Sequence, residues 1–280
     1  MQKWLSAWTF SNVHISLSAF FYALASALIL GEYPPFSILL IVFSGTLVAY
    51  LFHRMYPIWA NHKIAAGNAI LNWTNTNKQV LNVLFATAVV ISLLSFIRLT
   101  YNIQVLLVLL AAINVFYSIP IFKKNKVKVA LRDWPFTKIF LIAFTWASVC
   151  ATLPSKAIGS IEPSIASGLF FEKFFFILAI TIPFDIKDIE SDVWNKVKTI
   201  PQKFGNNSAI VIALFCLIVS LFFFLTFVES SLAQKIAYLI FYAFSATLIY
   251  KSRNVQSDQF YLFSLDGLMI LLFALLLLVS

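Results

Sequence analysis

Nine stretches of about 20 mostly apolar residues follow one another along the chain, and each is long enough to cross a bilayer as a helix. They cover residues 11–30, 36–54, 79–97, 101–121, 135–153, 166–184, 208–227, 233–250 and 260–279. The chain is 61% hydrophobic and only 11% charged, a composition that no water-soluble domain can bury. The sequence therefore predicts an all-α, polytopic membrane protein with one transmembrane domain of nine helices over residues 1–280.

Basic residues between the spans fall mainly on one side of the predicted bundle. The loops after the second, fourth and sixth spans hold most of them, whereas the opposite side holds Arg98, Lys156, Lys173 and Lys235. Because positively charged loops tend to stay in the cytoplasm, this asymmetry predicts a cytoplasmic N-terminus, an outside C-terminus and a polar cap on the cytoplasmic side of an inner or plasma membrane. The same topology explains the formal charge of +9, so we expect no nucleic-acid partner.

The densest group of carboxylates follows the sixth span. Asp185, Asp188 and Asp192 are spaced i, i+3 and i+7, which on a continuous helix places all three on one face, and Glu190 falls off that stripe. Mg²⁺ prefers oxygen ligands and often completes its coordination with phosphate, so the stripe is a candidate site for Mg²⁺ and a diphosphate. The alternative is a solvated helix end that follows a membrane span.

Basic partners for a diphosphate are expected on the same side. Lys198 follows Asp192 by a few residues, Lys123 lies in the basic segment after the fourth span, and Arg54 ends the second span. Lys138 lies inside the fifth span, where an ionisable side chain usually faces the bundle interior. For any one of these cations the alternative is a topology anchor or a contact with anionic lipid head groups.

Asp266 is a second ionisable residue inside a predicted span, the last one. A short side chain at that depth does not easily reach the membrane surface. Three interpretations stay open: Asp266 lines a cavity, pairs with a cation such as Lys138, or makes an inert buried hydrogen bond.

The architecture and the stretch FDIKDIESDVWNKVKTIPQKFG resemble the UbiA superfamily of intramembrane prenyltransferases. The second aspartate motif of that family reads D-x-x-D-x-x-x-D after the sixth span and is often followed by K-T-L-P and a glycine. A weaker element, Y-S-x-P-x-x-K/R, follows its fourth span. The matching residues are Asp185, Asp188, Asp192, Lys198, Thr199, Ile200, Pro201 and Gly205 for the first element, and Tyr117, Ser118, Pro120 and Lys123 for the second.

The chain departs from the family at the end of the second span. The first family motif, N-D-x-x-D with a further Asp, belongs there, but residues 49–56 read AYLFHRMY and contain no carboxylate. Two hypotheses follow. Either Arg54 and His53 bind the diphosphate directly in place of a metal bridge, or the protein keeps the fold and has lost the reaction.

The resemblance implies Mg²⁺-dependent transfer of a prenyl group from an isoprenoid diphosphate to a lipophilic or aromatic acceptor. The residues assigned both to metal binding and to catalysis are Asp185, Asp188 and Asp192. The residues assigned to the diphosphate are Arg54, Lys123, Lys138 and Lys198. The alternative functions are a catalytically silent relative that binds prenyl lipid or a protein partner, and a transporter of a small anion or lipid.

Overall fold

The computed structural model describes residues 2–60, 69–124, 127–194 and 197–280, with the backbone alone at Gln2, Lys3, Lys123, Lys124, Val127, Lys128, Ser191 and Trp194. The elements in chain order are α1 (Gln2–Phe10), α2 (Val13–Leu30), α3 (Phe36–Trp59), α4 (Ala69–Thr76), α5 (Lys78–Phe96), α6 (Tyr101–Ser118), β1 (Phe122–Lys124), β2 (Val127–Val129), α7 (Thr137–Ala147), α8 (Leu153–Ile158), α9 (Pro163–Lys187), α10 (Ile189–Trp194), α11 (Ile200–Phe204), α12 (Asn206–Phe227), α13 (Leu232–Lys251) and α14 (Leu268–Leu277). Within these residues nine helical segments are long and apolar enough to cross a membrane, which confirms the predicted number and fold class.

Two of the spans contain a widened, π-helical turn. In the fifth span, residues Ser148–Thr152 join α7 to α8, and the continuous segment Thr137–Ile158 runs past the predicted boundary at 153. In the last span, Phe260–Leu265 precedes α14. Such turns interrupt the regular hydrogen-bond ladder and often occur at functional sites, and the hydrophobic pattern of the sequence does not reveal them.

The core of the bundle lies around α2 and α9, which are the most buried spans, whereas α5 and α6 are the least buried. Helix α9 packs extensively against α12 and α7, and α2 packs against α3 and α14. The approach of α9 to α12 requires a glycine, because a Cβ atom at Gly168 would lie 2.4 Å from Cβ of Phe227. The two central helices thereby hold the rest of the bundle in place.

Short elements follow the second, fourth and sixth spans, in the loops that hold most of the basic residues. They are α4, the β1–β2 hairpin, a 3₁₀ turn at Leu131–Asp133, and the helices α10 and α11. The hairpin pairs Phe122 with Val129 in antiparallel register and is an exception to the all-α prediction among the described residues.

Lys173 does not lie in an outside loop, as the charge analysis assumed. It is a fully buried residue of α9, with Nζ 3.2 Å from Glu172 Oε2 and 3.7 Å from the centre of the Tyr22 ring. Tyr242 Oη donates a hydrogen bond to the other Glu172 oxygen at 3.1 Å. The mean hydropathy of the predicted sixth span does not reveal this charge pair, because one lysine and one glutamate barely lower it.

Candidate functional site

The three predicted aspartates lie across a break between two helices. Helix α9 ends at Lys187, and Asp188 has φ −92° and ψ 8° before α10 begins at Ile189. The amide of Asp188 donates to Phe184 O (2.9 Å) and that of Asp192 to Asp188 O (2.8 Å), so the chain stays compact through the break. The expected continuous helix is therefore interrupted, and the three carboxylates have different neighbours.

Asp185 and Asp192 both face the ammonium of Lys138. Lys138 lies in the first turn of α7, and its Nζ is 2.8 Å from Asp185 Oδ1 and 3.6 Å from Asp192 Oδ2. Asp185 is only 1% exposed, so this ion pair is largely removed from water. Lys138 faces the bundle interior, and a cation stands between two of the predicted metal ligands.

Asp192 retains an unsatisfied oxygen. Its Oδ2 atom is buried and has no hydrogen-bond partner in the described part of the chain, since 3.6 Å to Lys138 exceeds hydrogen-bond length. Burial, together with repulsion from Asp185 and Asp188, raises the pKa of Asp192 to about 6, although Lys138 opposes the shift. This oxygen therefore has free capacity for a further cation or hydrogen-bond donor.

A chamber of about 230 Å³ lies next to this cluster, and we name it the polar chamber for the charged side chains in its otherwise largely apolar wall. Four charged side chains from four different parts of the chain line it, together with the polar side chains of Thr9, Asn12 and Thr181. The charged ones are Arg54, Lys138, Asp188 and Asp266. Two cations and two carboxylates around a small cavity are suited to a ligand with an anionic group or to a metal–anion pair.

Arg54 stands in the part of the chain where the first family motif would carry its acids. It lies near the end of α3, and its guanidinium donates through Nη1 to the carbonyl of Phe10, the last residue of α1. That hydrogen bond uses one of the five N–H donors of an arginine, which leaves others for a ligand in the chamber.

An apolar groove of about 780 Å³ lies between α3, α5, α6 and α7. Most of its wall is aliphatic or aromatic, and its polar side chains include His53, Asn114, Tyr117 and Arg132. The volume is within the range of cavities that take small-molecule ligands, roughly 300–1,000 Å³.

The polar chamber and the apolar groove meet at Tyr50, Ile142 and Trp146, which line both. Trp146 Nε1 donates to Tyr50 Oη at 3.2 Å, and the two rings pack edge to face with their centres 6.3 Å apart. The junction is therefore a pair of oriented aromatic rings between a charged space and an apolar one.

The structure separates the residues predicted to bind diphosphate. Arg54 and Lys138 line the polar chamber, whereas the side chain of Lys198 is exposed and lines neither cavity described above. Lys123 lies in β1, and its side chain is outside the described residues. The assignments of Lys123 and Lys198 stay predictions.

His53 does not share the polar chamber with its neighbour Arg54. It lines the apolar groove, where Nε2 donates to Asn114 Oδ1 (3.3 Å) and Nδ1 is hydrogen-bonded to Ser118 Oγ. The hypothesis that His53 and Arg54 bind one phosphate together is not supported, because consecutive residues of a helix point about 100° apart.

Sequence reasoning missed several residues of the site. Asn12, Tyr50 and Trp146 carried no signal, since each stands in an ordinary apolar or helix-end context. Asp266 is different, because lining a cavity is one of the three interpretations that the sequence leaves open for it, and the structure places it in the wall of the polar chamber.

The described residues contain no group of three or more His, Cys, Asp or Glu side chains that could hold a metal ion by themselves. Mg²⁺ commonly takes only one or two carboxylates and completes its shell with substrate phosphates and water. Asp188 in the chamber wall and the unsatisfied oxygen of Asp192 fit that donor set. The metal assignment stays a prediction.

No family model and no curated protein matches this sequence. Solved structures with the same fold include a UbiA homologue from Archaeoglobus fulgidus bound to GPP and Mg²⁺, 16% identical over 97% of this chain and 99% of that chain, with a TM-score of 0.64. An apo UbiA homologue from Aeropyrum pernix K1 is 15% identical over 95% of each chain, with a TM-score of 0.57. A structure concerning digeranylgeranylglyceryl phosphate synthase is 16% identical over 99% of this chain and 98% of that chain, with a TM-score of 0.56. The resemblance read from the aspartate motif is thus confirmed at the level of the fold.

Proposed function

We propose that this chain, which has the UbiA-type fold along almost its whole length, transfers a prenyl group from an isoprenoid diphosphate to an acceptor within the membrane. The observation that carries the proposal is the junction of a polar chamber containing two cations with a large apolar groove, at Tyr50, Ile142 and Trp146. A prenyl diphosphate has the same two parts, a strongly anionic head and an apolar tail.

The head group is bound by Arg54 and Lys138. Arginine binds phosphate oxygens through a bidentate fork and lysine binds them as a point charge, so the two cations are complementary. Arg54 takes the place of a metal-bridged carboxylate at the end of α3. Fewer carboxylates are then needed to bind the diphosphate through metal than in a site with two aspartate motifs.

Asp188 and Asp192 are the residues that would hold Mg²⁺ beside the diphosphate. Asp185 pairs with Lys138 and would be free to join them only with that ammonium turned toward a phosphate. The metal supplies electrostatic stabilisation of the charge that develops on the leaving diphosphate. The A. fulgidus homologue with GPP and Mg²⁺ supports this ligand pair for the shared fold.

The tail lies in the apolar groove, which places the reacting carbon near the aromatic pair Tyr50 and Trp146. The faces of aromatic rings are negatively polarised and stabilise nearby cations. These rings are therefore suited to the allylic cation that forms when the C–O bond breaks. With the loop charges as a guide, we place this site on the cytoplasmic side of the membrane.

The test is calorimetric titration of the detergent-solubilised protein with geranylgeranyl thiodiphosphate, with Mg²⁺ or with EDTA. Binding that is strong with Mg²⁺ and collapses with EDTA supports the proposal, and turnover with hydroxylated acceptors completes it. Absence of binding at every prenyl chain length contradicts it.

A second candidate is a catalytically silent protein that binds prenyl lipid. The observation that favours it is Arg54, since a cation at the end of α3 binds an anion without metal. Binding that is indifferent to EDTA, with no turnover, is the result that selects this function over catalysis.

A further inference from the structure

One wall of the polar chamber comes from the elbow between α1 and α2. Asn12 forms this elbow with a left-handed backbone, φ 65°. The residue is only 2% exposed, lines the chamber, and its Nδ2 donor has no hydrogen-bond partner in the described ranges. A buried amide without a partner is costly, so this donor is suited to a ligand in the chamber.

Asp266 forms the neighbouring wall from the last span. It is 8% exposed and lines the chamber, and none of the ion pairs found in the described part of the chain includes it. The same residues provide no side-chain hydrogen bond to its carboxylate, and Arg54 and Lys138 are the cations that share the chamber wall with it. The other aspartates differ, because Asp185 and Asp192 face Lys138.

Two hydrogen bonds of the His14 ring anchor the π-helical turn that precedes Asp266. Trp8 Nε1 donates to His14 Nδ1 at 2.9 Å, and an indole N–H only donates, so the His14 proton is on Nε2. Nε2 then donates to the carbonyl of Phe263 at 3.2 Å, inside the π-helical turn that ends next to Asp266. Gly267 completes the turn, since a Cβ there would lie 2.4 Å from the same carbonyl. His14 is a positioning residue.

We infer that Asp266 and Asn12 form the acceptor site and that Asp266 takes the proton of the acceptor; the inference rests on the proposed transferase function. The C–O bond of the prenyl diphosphate breaks, and its electron pair leaves with the diphosphate. A lone pair of the acceptor forms the new bond to the prenyl carbon, and the acceptor proton moves to a carboxylate oxygen of Asp266. Asn12 donates a hydrogen bond to the acceptor head group.

The chemical class of the acceptor follows from these groups. It carries an acidic proton, as in a phenol, an alcohol or an amine, on a head small enough to share the chamber of about 230 Å³ with the diphosphate. The rest of the acceptor molecule is apolar, because Ile15, Leu262 and Met269 also line the chamber.

The experiment measures single-turnover prenylation of a series of ring-substituted phenols, and of water, from geranylgeranyl diphosphate and Mg²⁺. Wild-type protein is compared with Asp266→Asn. We expect a loss of about 100-fold with weakly acidic phenols, the usual contribution of a positioned base. Phenols that are already ionised at the assay pH need no base, so their rates should fall by no more than about threefold.

Glu162→Gln is the matched control, because Glu162 is exposed and lines neither the chamber nor the groove. Asp266→Ser gives the same expectation should Asp266→Asn fail to fold. The dissociation constant of geranylgeranyl thiodiphosphate must be the same for all variants and for wild type, so that a lower rate does not come from weaker donor binding. An equal loss for every phenol, or no loss, overturns the role of Asp266 while leaving the transferase proposal intact. A wild-type protein that neither binds geranylgeranyl thiodiphosphate nor prenylates any phenol overturns both.

Discussion

Two buried ionic clusters lie on helix α9 and have opposite surroundings. The sealed cluster consists of Glu172, Lys173, Tyr22 and Tyr242, and the chamber cluster consists of Lys138, Asp185 and Asp192. With 13 residues from Glu172 to Asp185, the helix separates them by about 20 Å. Both the Glu172 and the Lys173 side chain are 0% exposed, whereas the Lys138 side chain is 18% exposed.

The difference lies in the carboxylate oxygens and in access, since the described residues give no hydrogen-bond partner to the buried Tyr22 hydroxyl of the sealed cluster either. In the sealed cluster Lys173 and Tyr242 occupy both oxygens of Glu172, and neither charged residue lines the chamber or the groove. In the chamber cluster Asp192 Oδ2 has no hydrogen-bond partner in the described residues, and Lys138 lines a cavity. Both clusters hold buried charge, and of the two only the chamber cluster combines it with an unpartnered carboxylate oxygen and a cation in a cavity wall, which are features that accompany functional sites.

The largest effect is expected in the sealed cluster. Glu172→Ala leaves the Lys173 ammonium buried without a counter-charge, which should lower the free energy of unfolding by about 3–5 kcal/mol. Thermal unfolding in detergent measures the loss. Glu172→Gln combined with Lys173→Met removes both charges and should recover most of the stability. A fully stable single variant would contradict the view that this pair is structural.

Asp188→Asn should have the next largest effect, and it should be on turnover. The change removes a negative charge from the chamber wall but no packing, so we expect prenyl transfer to fall by about 100- to 1,000-fold, which is about 3–4 kcal/mol. The melting temperature should stay close to that of wild type. An unchanged rate of diphosphate release would rule out the metal assignment.

Lys138→Gln should weaken donor binding by about 100-fold, or about 3 kcal/mol, because it removes a buried charge that meets the diphosphate. Lys198→Gln is the matched control: Lys198 is exposed and lines neither cavity, so its loss should change the dissociation constant by less than about twofold. Titration of geranylgeranyl thiodiphosphate measures both. Equal effects would show that the chamber does not bind the head group.

The smallest effect is expected at the junction of the two cavities. Tyr50→Phe keeps the aromatic ring and removes one hydrogen bond to Trp146, which should lower the free energy of unfolding by about 1 kcal/mol. Donor binding should change little, since the ring stays in place. A strong loss of donor affinity would show that the hydroxyl itself contacts the substrate.

Much of the fold follows from sequence alone, because the length of an apolar span is a local property that the bilayer thickness sets. All nine predicted spans appear among the described residues, and the ends of most agree within a few positions. The aspartate stretch also stands out in the sequence, since four of the 11 acidic residues fall within eight positions, and its assignment to metal binding stays a prediction.

Tertiary structure decided which of these residues meet. Lys138 is 47 positions from Asp185, and Arg54, Asn12 and Asp266 reach one chamber from three other parts of the chain. No local pattern encodes such meetings, because helix packing and the rotation of each helix set them. The rotation of α3 places Arg54 in the polar chamber and its neighbour His53 in the apolar groove. Neighbours in the sequence therefore need not line the same cavity.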